Sequence, residues 1–170
     1  PDRIIVGEIR RGKEAQVLFE AINTGHSVYS TLHANTAEEA YRRLVNPPID
    51  IPPALLGSLQ LILVMHRDRR RGIRRVLEIA ELIPTSALKA MGIELNTIFR
   101  WISSEDKITQ ISNSYRTMND IKLYSGMSDD DIEKDIMEKK EILDWFVKNK
   151  VKDIHKVGRI VSEYYRNKEE

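Results

Sequence analysis

Arg3-Ile4-Ile5-Val6-Gly7-Glu8 is a run of three adjacent branched apolar residues closed by glycine and a carboxylate. It is too short for a helix and suits a strand buried on both faces. Outward from it, Ala15, Leu18, Phe19 and Ile22 recur at helical spacing, so an amphipathic helix is predicted over 13–23, ended by Thr24-Gly25. Val28 to Leu32 is β-branched, aromatic and small, and reads as a second strand. Thr36, with Glu39 three residues on, reads as a capping box opening a helix to about Leu44. Asn46-Pro47-Pro48 breaks that helix. Pro52-Pro53 introduces a short one through Leu59, and Leu61 to Met65 is a third strand. Strand, helix, strand, helix, strand with short connections predicts parallel strands joined by right-handed crossovers. Ligands in such sheets bind beyond the carboxyl ends of the strands, where Glu8, Arg10, Arg11 and His33 collect.

The pattern changes after Arg67. Arg74 to Ile83 and Ile93 to Ile102 read as an antiparallel strand pair. From Thr117 the chain reads helical. Ser128 followed by three aspartates caps a long helix to about Lys150, with Ile132, Ile136, Leu143, Phe146 and Val147 as its apolar positions. Asp153 caps a last helix carrying Val157, Ile160, Val161, Tyr164 and Tyr165. The fold class is therefore α/β: a partial parallel sheet with flanking helices, an added antiparallel pair, and a C-terminal helical subdomain. Three regions follow, 1–66, 67–116 and 117–170.

Composition excludes several classes. The 170 residues contain no cysteine, so a disulfide scaffold and any Cys-ligated metal site are ruled out. The longest apolar run, Leu59 to Met65, is too short to span a bilayer. No signal-peptide pattern opens the chain, so a cytoplasmic location is expected. A net charge of +1 argues against a uniformly basic nucleic-acid binder, but it hides an asymmetry. Residues 1–100 hold 12 Arg and 2 Lys, and residues 101–170 hold 3 Arg and 10 Lys.

Four motifs carry chemistry. Gly7-Glu8-Ile9-Arg10-Arg11-Gly12-Lys13-Glu14 nearly matches the phosphate loop G-x-x-x-x-G-K-[ST], but Glu14 supplies no hydroxyl for magnesium, and Glu8 and Ile9 fit poorly against phosphate. Glu8 at a strand end could orient water beside a γ-phosphate, or be a solvated turn residue. His26 and His33 flank a strand without the third ligand a metal site needs, so no metal site is expected, and spacing alone favours structural histidines. Arg67-Asp68-Arg69-Arg70-Arg71-Gly72-Ile73-Arg74-Arg75 could bind phosphates or be a solvated hairpin loop.

Taken together and in this order, these segments resemble the secretion ATPase superfamily of type II secretion, type IV pili and archaella, its archaeal branch above all. Residues 1–10 are similar to its Walker B segment. Thr24-Gly25-His26 with Ser30-Thr31-Leu32-His33-Ala34 is similar to its His box. Residues 46–53, Arg74 to Ile79 and the region from Met127 to Arg166 also match. The resemblance implies a RecA-like ATPase core of which this chain supplies the second half. The phosphate-binding loop and Asp box would lie upstream, which makes the chain a piece of a longer protein. It further implies Glu8 polarising the attacking water, His33 sensing the γ-phosphate with His26 in support, and Arg10 or Arg11 steadying the phosphate or a subunit contact. ATP with Mg2+, a homo-hexamer, and a polytopic membrane platform protein at the inner face of the cell membrane complete the implied picture. No specific nucleic acid and no direct membrane insertion belong to it. The main rival is a non-enzymatic nucleic-acid-binding or protein-docking module built on Arg67–Arg75 and the C-terminal helices.

Overall fold

Residues 3–85 and 92–169 are described by a computed structural model, so Pro1 and Asp2 of the Walker B-like segment lie outside the described residues. The chain divides into two units, Pro1–Asp120 and Ile121–Glu170. The first contains β1 (Arg3–Glu8), α1 (Gly12–Asn23), β2 (Ser27–Thr31), α2 (Ala37–Val45), α3 (Pro53–Leu56), β3 (Leu61–Asp68), β4 (Ile73–Pro84), β5 (Ile93–Ile102) and β6 (Lys107–Gln110). Helix α4 (Arg116–Ser125) runs through the division, and α5 (Asp129–Lys148) and α6 (Ile154–Glu169) make up most of the second unit.

The β-branched runs of β1 and β2 pair in parallel, with Ile4 opposite Val28 and Val6 opposite Ser30. Alternation then sends Val6, Val28 and Leu32 toward a core of Ile9, Ala15, Leu18, Phe19, Leu44, Ile49, Ile51 and Leu56. Each large side chain in it contributes about 2–3 kcal/mol by leaving water. Helix α1 lays its predicted apolar stripe on this core, and Gly25, at φ +90°, turns the chain into β2. The expectation that β1 is buried on both faces is corrected. Ile5 is 81% exposed, because the described helices cover only the opposite face of the β1–β2 pair.

A second correction concerns the third strand. β3 does not extend the parallel pair among the described residues but opens a four-stranded antiparallel sheet of order β3-β4-β5-β6. The predicted Arg74–Ile83 and Ile93–Ile102 pair forms its centre as β4 and β5, with Leu82 opposite Leu95. The edges of β2 and β3 that carry no partner strand both line one cleft of about 560 Å³. Two smaller differences are local. Glu39 does not return to its cap residue Thr36 but accepts from the Asn35 backbone N–H at 2.8 Å, while Thr36 Oγ1 caps the Glu39 N–H. Helix α3 stops at Leu56, because Ser58 and Leu59 donate three residues back, to Leu55 and Leu56, and tighten the chain into turns.

Two buried carboxylates hold this unit together. Glu78 of β4 accepts from the Ala37 N–H at 2.6 Å, at the positive end of α2, and from Arg100 at 3.1 Å. Glu81 of β4 is fully buried and accepts from the Tyr115 N–H, the Asn96 amide, the Ser114 hydroxyl and the Thr117 N–H. It thereby ties residues 114–117 to the sheet. The adjacent Arg116 donates to the carbonyls of Gly57, Leu59 and Leu82 at 2.6–2.8 Å.

In the second unit, Ser128 Oγ caps α5 by accepting from the Asp131 N–H, and Asp131 returns to the Ser128 N–H. Asp153 caps α6 through the Lys156 N–H, as its position predicts. Of the apolar positions expected to face a core, Ile132 and Phe146 are buried whereas Ile136, Leu143 and Val147 are exposed. The five positions fall in a stripe roughly 100° wide, and the two buried ones lie along one flank of it while the exposed ones lie along the other. No helix among the described residues is long and apolar enough to cross a membrane.

Glu81 gives the fold a pH dependence. Burial pushes its carboxyl up, but the converging N–H and O–H donors outweigh burial and bring the pKa down to about 2 from an ordinary 4.5. The ionised carboxylate therefore stabilises the fold fully above pH 4.5, and that contribution is lost as pH falls toward 2. Chemical denaturation of Glu81→Gln is expected to show a loss of about 2–4 kcal/mol at neutral pH and a flatter acid limb than the unsubstituted chain.

Candidate functional site

The site forms where β1 and β2 release the chain at their carboxyl ends. The β1–β2 register shifts between Val6 and Glu8, so that Glu8 lies opposite Thr31. Such a bulge re-aims the residue that follows it. The Thr31 hydroxyl donates to the Gly7 carbonyl at 2.7 Å and the Ile9 N–H donates to the Thr31 carbonyl at 2.9 Å, which pins the irregularity. Glu8 is then held from two sides. One oxygen accepts from Arg10, at 2.7 Å from Nε and 2.5 Å from Nη2, and the other lies 3.1 Å from His33 Nε2. The Arg10 hydrogen bond, aided by the charges of Arg10 and His33, keeps the Glu8 carboxyl below the usual glutamate range. The group lines a pocket of about 320 Å³ whose apolar walls come from Ile9, Leu32, Pro48 and Ile49.

Three of the five candidate residues from the sequence thus meet: Glu8, Arg10 and His33. The other two sit elsewhere. Arg11 precedes α1 with its backbone N–H on Glu14 Oε2 at 2.9 Å, and it does not line the pocket. His26 lies at the opposite end of β2, where Nδ1 is 3.1 Å from Thr24 Oγ1 and 3.3 Å from the Ala21 carbonyl. Of the two arginines left open by the sequence, Arg10 is the one that reaches Glu8.

Sequence reasoning placed Thr31 in the segment similar to the His box without giving it a role, and it passed over Arg43. Arg43, from α2, lines the same pocket ten residues after His33. A helical Glu39–Arg43 pair four residues apart, just behind a strand-end histidine, was the available signal.

The arrangement can polarise a water or accept a proton at Glu8 and can place imidazole and guanidinium groups beside an anion. In the near-match to a phosphate loop, three amides are already engaged. Gly12 N–H is spent on the Pro48 carbonyl, Ile9 N–H on Thr31 and Arg11 N–H on Glu14. Gly12 is required for a different reason, since a Cβ there would meet the Ile49 carbonyl oxygen at 2.8 Å. Among the described residues no group of three His, Asp or Glu side chains could hold a metal ion. Arg67–Arg75 forms the β3–β4 hairpin, closed by Asp68 accepting from the Arg70 and Arg71 N–H groups, and none of its arginines lines the Glu8 pocket.

The chain is similar in sequence to several known proteins. The family model described as "Type II/IV secretion system protein" matches residues 1–80. An uncharacterized protein of Methanocaldococcus jannaschii is 36% identical over 145 residues, which cover 84% of this chain and 53% of that protein. Type II secretion system protein E of Klebsiella pneumoniae is 44% identical over 71 residues, 42% of this chain and 14% of that protein. The type IV pilus assembly ATPase PilB of Thermus thermophilus is 46% identical over 81 residues, 46% of this chain and 8% of that protein. The chain thus spans about half the length of the first of these relatives and much less of the others. The strand and site region, residues 1–80, is thus that of the type II/IV secretion system family, and it is similar to proteins of type II secretion and type IV pilus assembly systems.

Proposed function

We propose that residues 1–66 form the second half of a RecA-like ATPase core, residues 67–116 complete that domain, and residues 117–170 are a helical subdomain. In this reading the parent protein is a hexameric motor that hydrolyses ATP to drive pilus or archaellum assembly or protein secretion, docked at the inner membrane face through a polytopic platform protein. The carrying observation is the Glu8 carboxylate, gripped by Arg10 and facing His33 at the carboxyl ends of two adjacent parallel strands.

Each residue has a role its chemistry suits. Glu8, kept ionised by Arg10, orients the attacking water and draws on its proton. His33, 3.1 Å from Glu8, faces the γ-phosphate and registers its loss through that contact. Arg10 holds Glu8 and offsets charge that develops on the phosphate. Mg2+ is commonly held by one or two carboxylates plus substrate phosphates, so with Glu8 the only carboxylate lining the pocket among the described residues, the ion would enter with the nucleotide. His26, at the far end of β2, has no direct part here.

The phosphate-binding loop must come from a segment outside this chain, and the fold has room for its strand. The unpaired edges of β2 and β3 line the 560 Å³ cleft together. Ser30 Oγ, one of its lining groups, is buried without a partner among the described residues. On the uncovered side of the sheets, Ile5, Tyr29, Leu61, Leu63 and Met65 are exposed in an alternating pattern that a further layer would bury.

Purified residues 1–170 are expected to show no ATP hydrolysis above background in a phosphate-release assay. The same residues within a longer polypeptide carrying G-x-x-x-x-G-K-[ST] are expected to turn over ATP, and Glu8→Gln there should lower kcat by about a hundredfold or more. Robust turnover by the 170-residue chain, or full activity of Glu8→Gln, would refute the assignment. In a carboxyl-carbon NMR titration, Glu8 should titrate below an ordinary glutamate, and Arg10→Gln should move its midpoint up, since the Arg10 hydrogen bond is the main cause of the depression.

A further inference from the structure

Within the pocket that holds Glu8, most of the positive charge is already engaged. Arg10 is spent on Glu8, and His33 faces the same carboxylate. Arg43 is the other guanidinium lining that pocket, and it approaches from a different element, helix α2. Its partner is Glu39, one turn earlier on the same helix, with Nε at 3.0 Å and Nη2 at 2.8 Å from Oε1. An exposed i,i+4 pair of this kind is ordinarily a weak surface feature. The neighbouring pair Arg42–Glu38 has that character: it is exposed, its side chains engage no third group among the described residues, and Arg42 does not line the Glu8 pocket.

Glu39 differs in what its second oxygen does. Oε2 accepts from both the backbone N–H and the side-chain amide of Asn35, at 2.8 and 3.0 Å. Asn35 is two residues beyond His33, in the segment that carries His33 from β2 to α2. One carboxylate therefore fixes Arg43 with one oxygen and the His33 loop with the other. The donors from Asn35, with Arg43, hold Glu39 below the ordinary glutamate range, so it stays ionised in this role. Helix α2 is in turn set by the buried Glu78 carboxylate on the Ala37 N–H. Arg43 and the segment that carries His33 thus share one mounting, the Glu39 carboxylate.

We propose that Arg43 is a phosphate-binding residue of this pocket and that Glu39 is a positioning residue that holds Arg43 and His33 in register. The inference rests on the phosphate-pocket reading above and extends it. A guanidinium is suited to this task because its planar fork meets two phosphate oxygens at once, which an ammonium cannot do.

The test is a pyrophosphate titration of the purified, isotope-labelled 170-residue chain at constant ionic strength, followed by NMR at the His33 ring and the Arg43 Nε–H. Both signals should move along one saturation curve, and adenosine alone should move neither. Arg43→Gln should weaken binding by about tenfold or more through loss of a bidentate contact, and Arg43→Lys, which keeps the charge but not the fork, should fall between. Arg42→Gln, with the same change of net charge one residue away, should leave the affinity unchanged. Glu39→Gln should weaken binding severalfold and displace the Asn35 amide signals before any ligand is added. Equal affinity of Arg43→Gln and Arg42→Gln, with His33 still titrating, would overturn the role of Arg43 and leave the Glu8–His33 pocket standing. An adenosine response at Arg43 equal to that of pyrophosphate would overturn the phosphate assignment. Absence of any saturable shift at both His33 and Arg43 would remove the phosphate pocket as well.

Discussion

The two sheets of the first unit share no hydrogen-bonded edge among the described residues, and helix α2 bridges them. It does so from both ends. Leu44 enters the core under β1 and β2, while Ala37 packs with Val64 and Ala80 of the antiparallel sheet and gives its N–H to the buried Glu78. A buried carboxylate is costly unless its lone pairs are met, and a helix N-terminus meets them with oriented N–H groups. The same contact orients the helix that carries Glu39 and Arg43, so the antiparallel sheet reaches the pocket mechanically although no strand of it lines that pocket.

The site itself depends on an irregularity. A regular parallel ladder would alternate Gly7 and Glu8 between the faces of the sheet in step with β2. The register shift at Gly7, pinned by the Thr31 hydroxyl, releases Glu8 from that alternation and lets Arg10 and His33 close on it.

Much of this was legible from residue patterns, and the failures share a cause. Local signals were read correctly where they were local: the stripe of α1, the Ser128 cap, the β4–β5 pair and the strand-end placement of Glu8. The errors concern what covers a surface. Ile5, Ile136, Leu143 and Val147 have the apolar character of core residues and are exposed, since burial depends on a second surface that periodicity cannot supply. Similarly, the apolar run of β3 suits either kind of sheet, and its antiparallel partner β4 follows directly by a hairpin, so proximity in the chain decided the pairing.

By itself the sequence determined the kinds of element, the carboxylate at the end of the first strand and the family likeness, because strand and helix periodicity and the spacing of short motifs are properties of contiguous residues. Only the tertiary structure decided that Arg10 rather than Arg11 grips Glu8, that His26 stands apart from His33, and that Arg43 joins the pocket. Side chains adjacent in sequence can point to opposite places, and residues far apart in sequence meet only when strands and helices are packed. The chemistry at Glu8 is therefore written in single residues, and its geometry belongs to the fold.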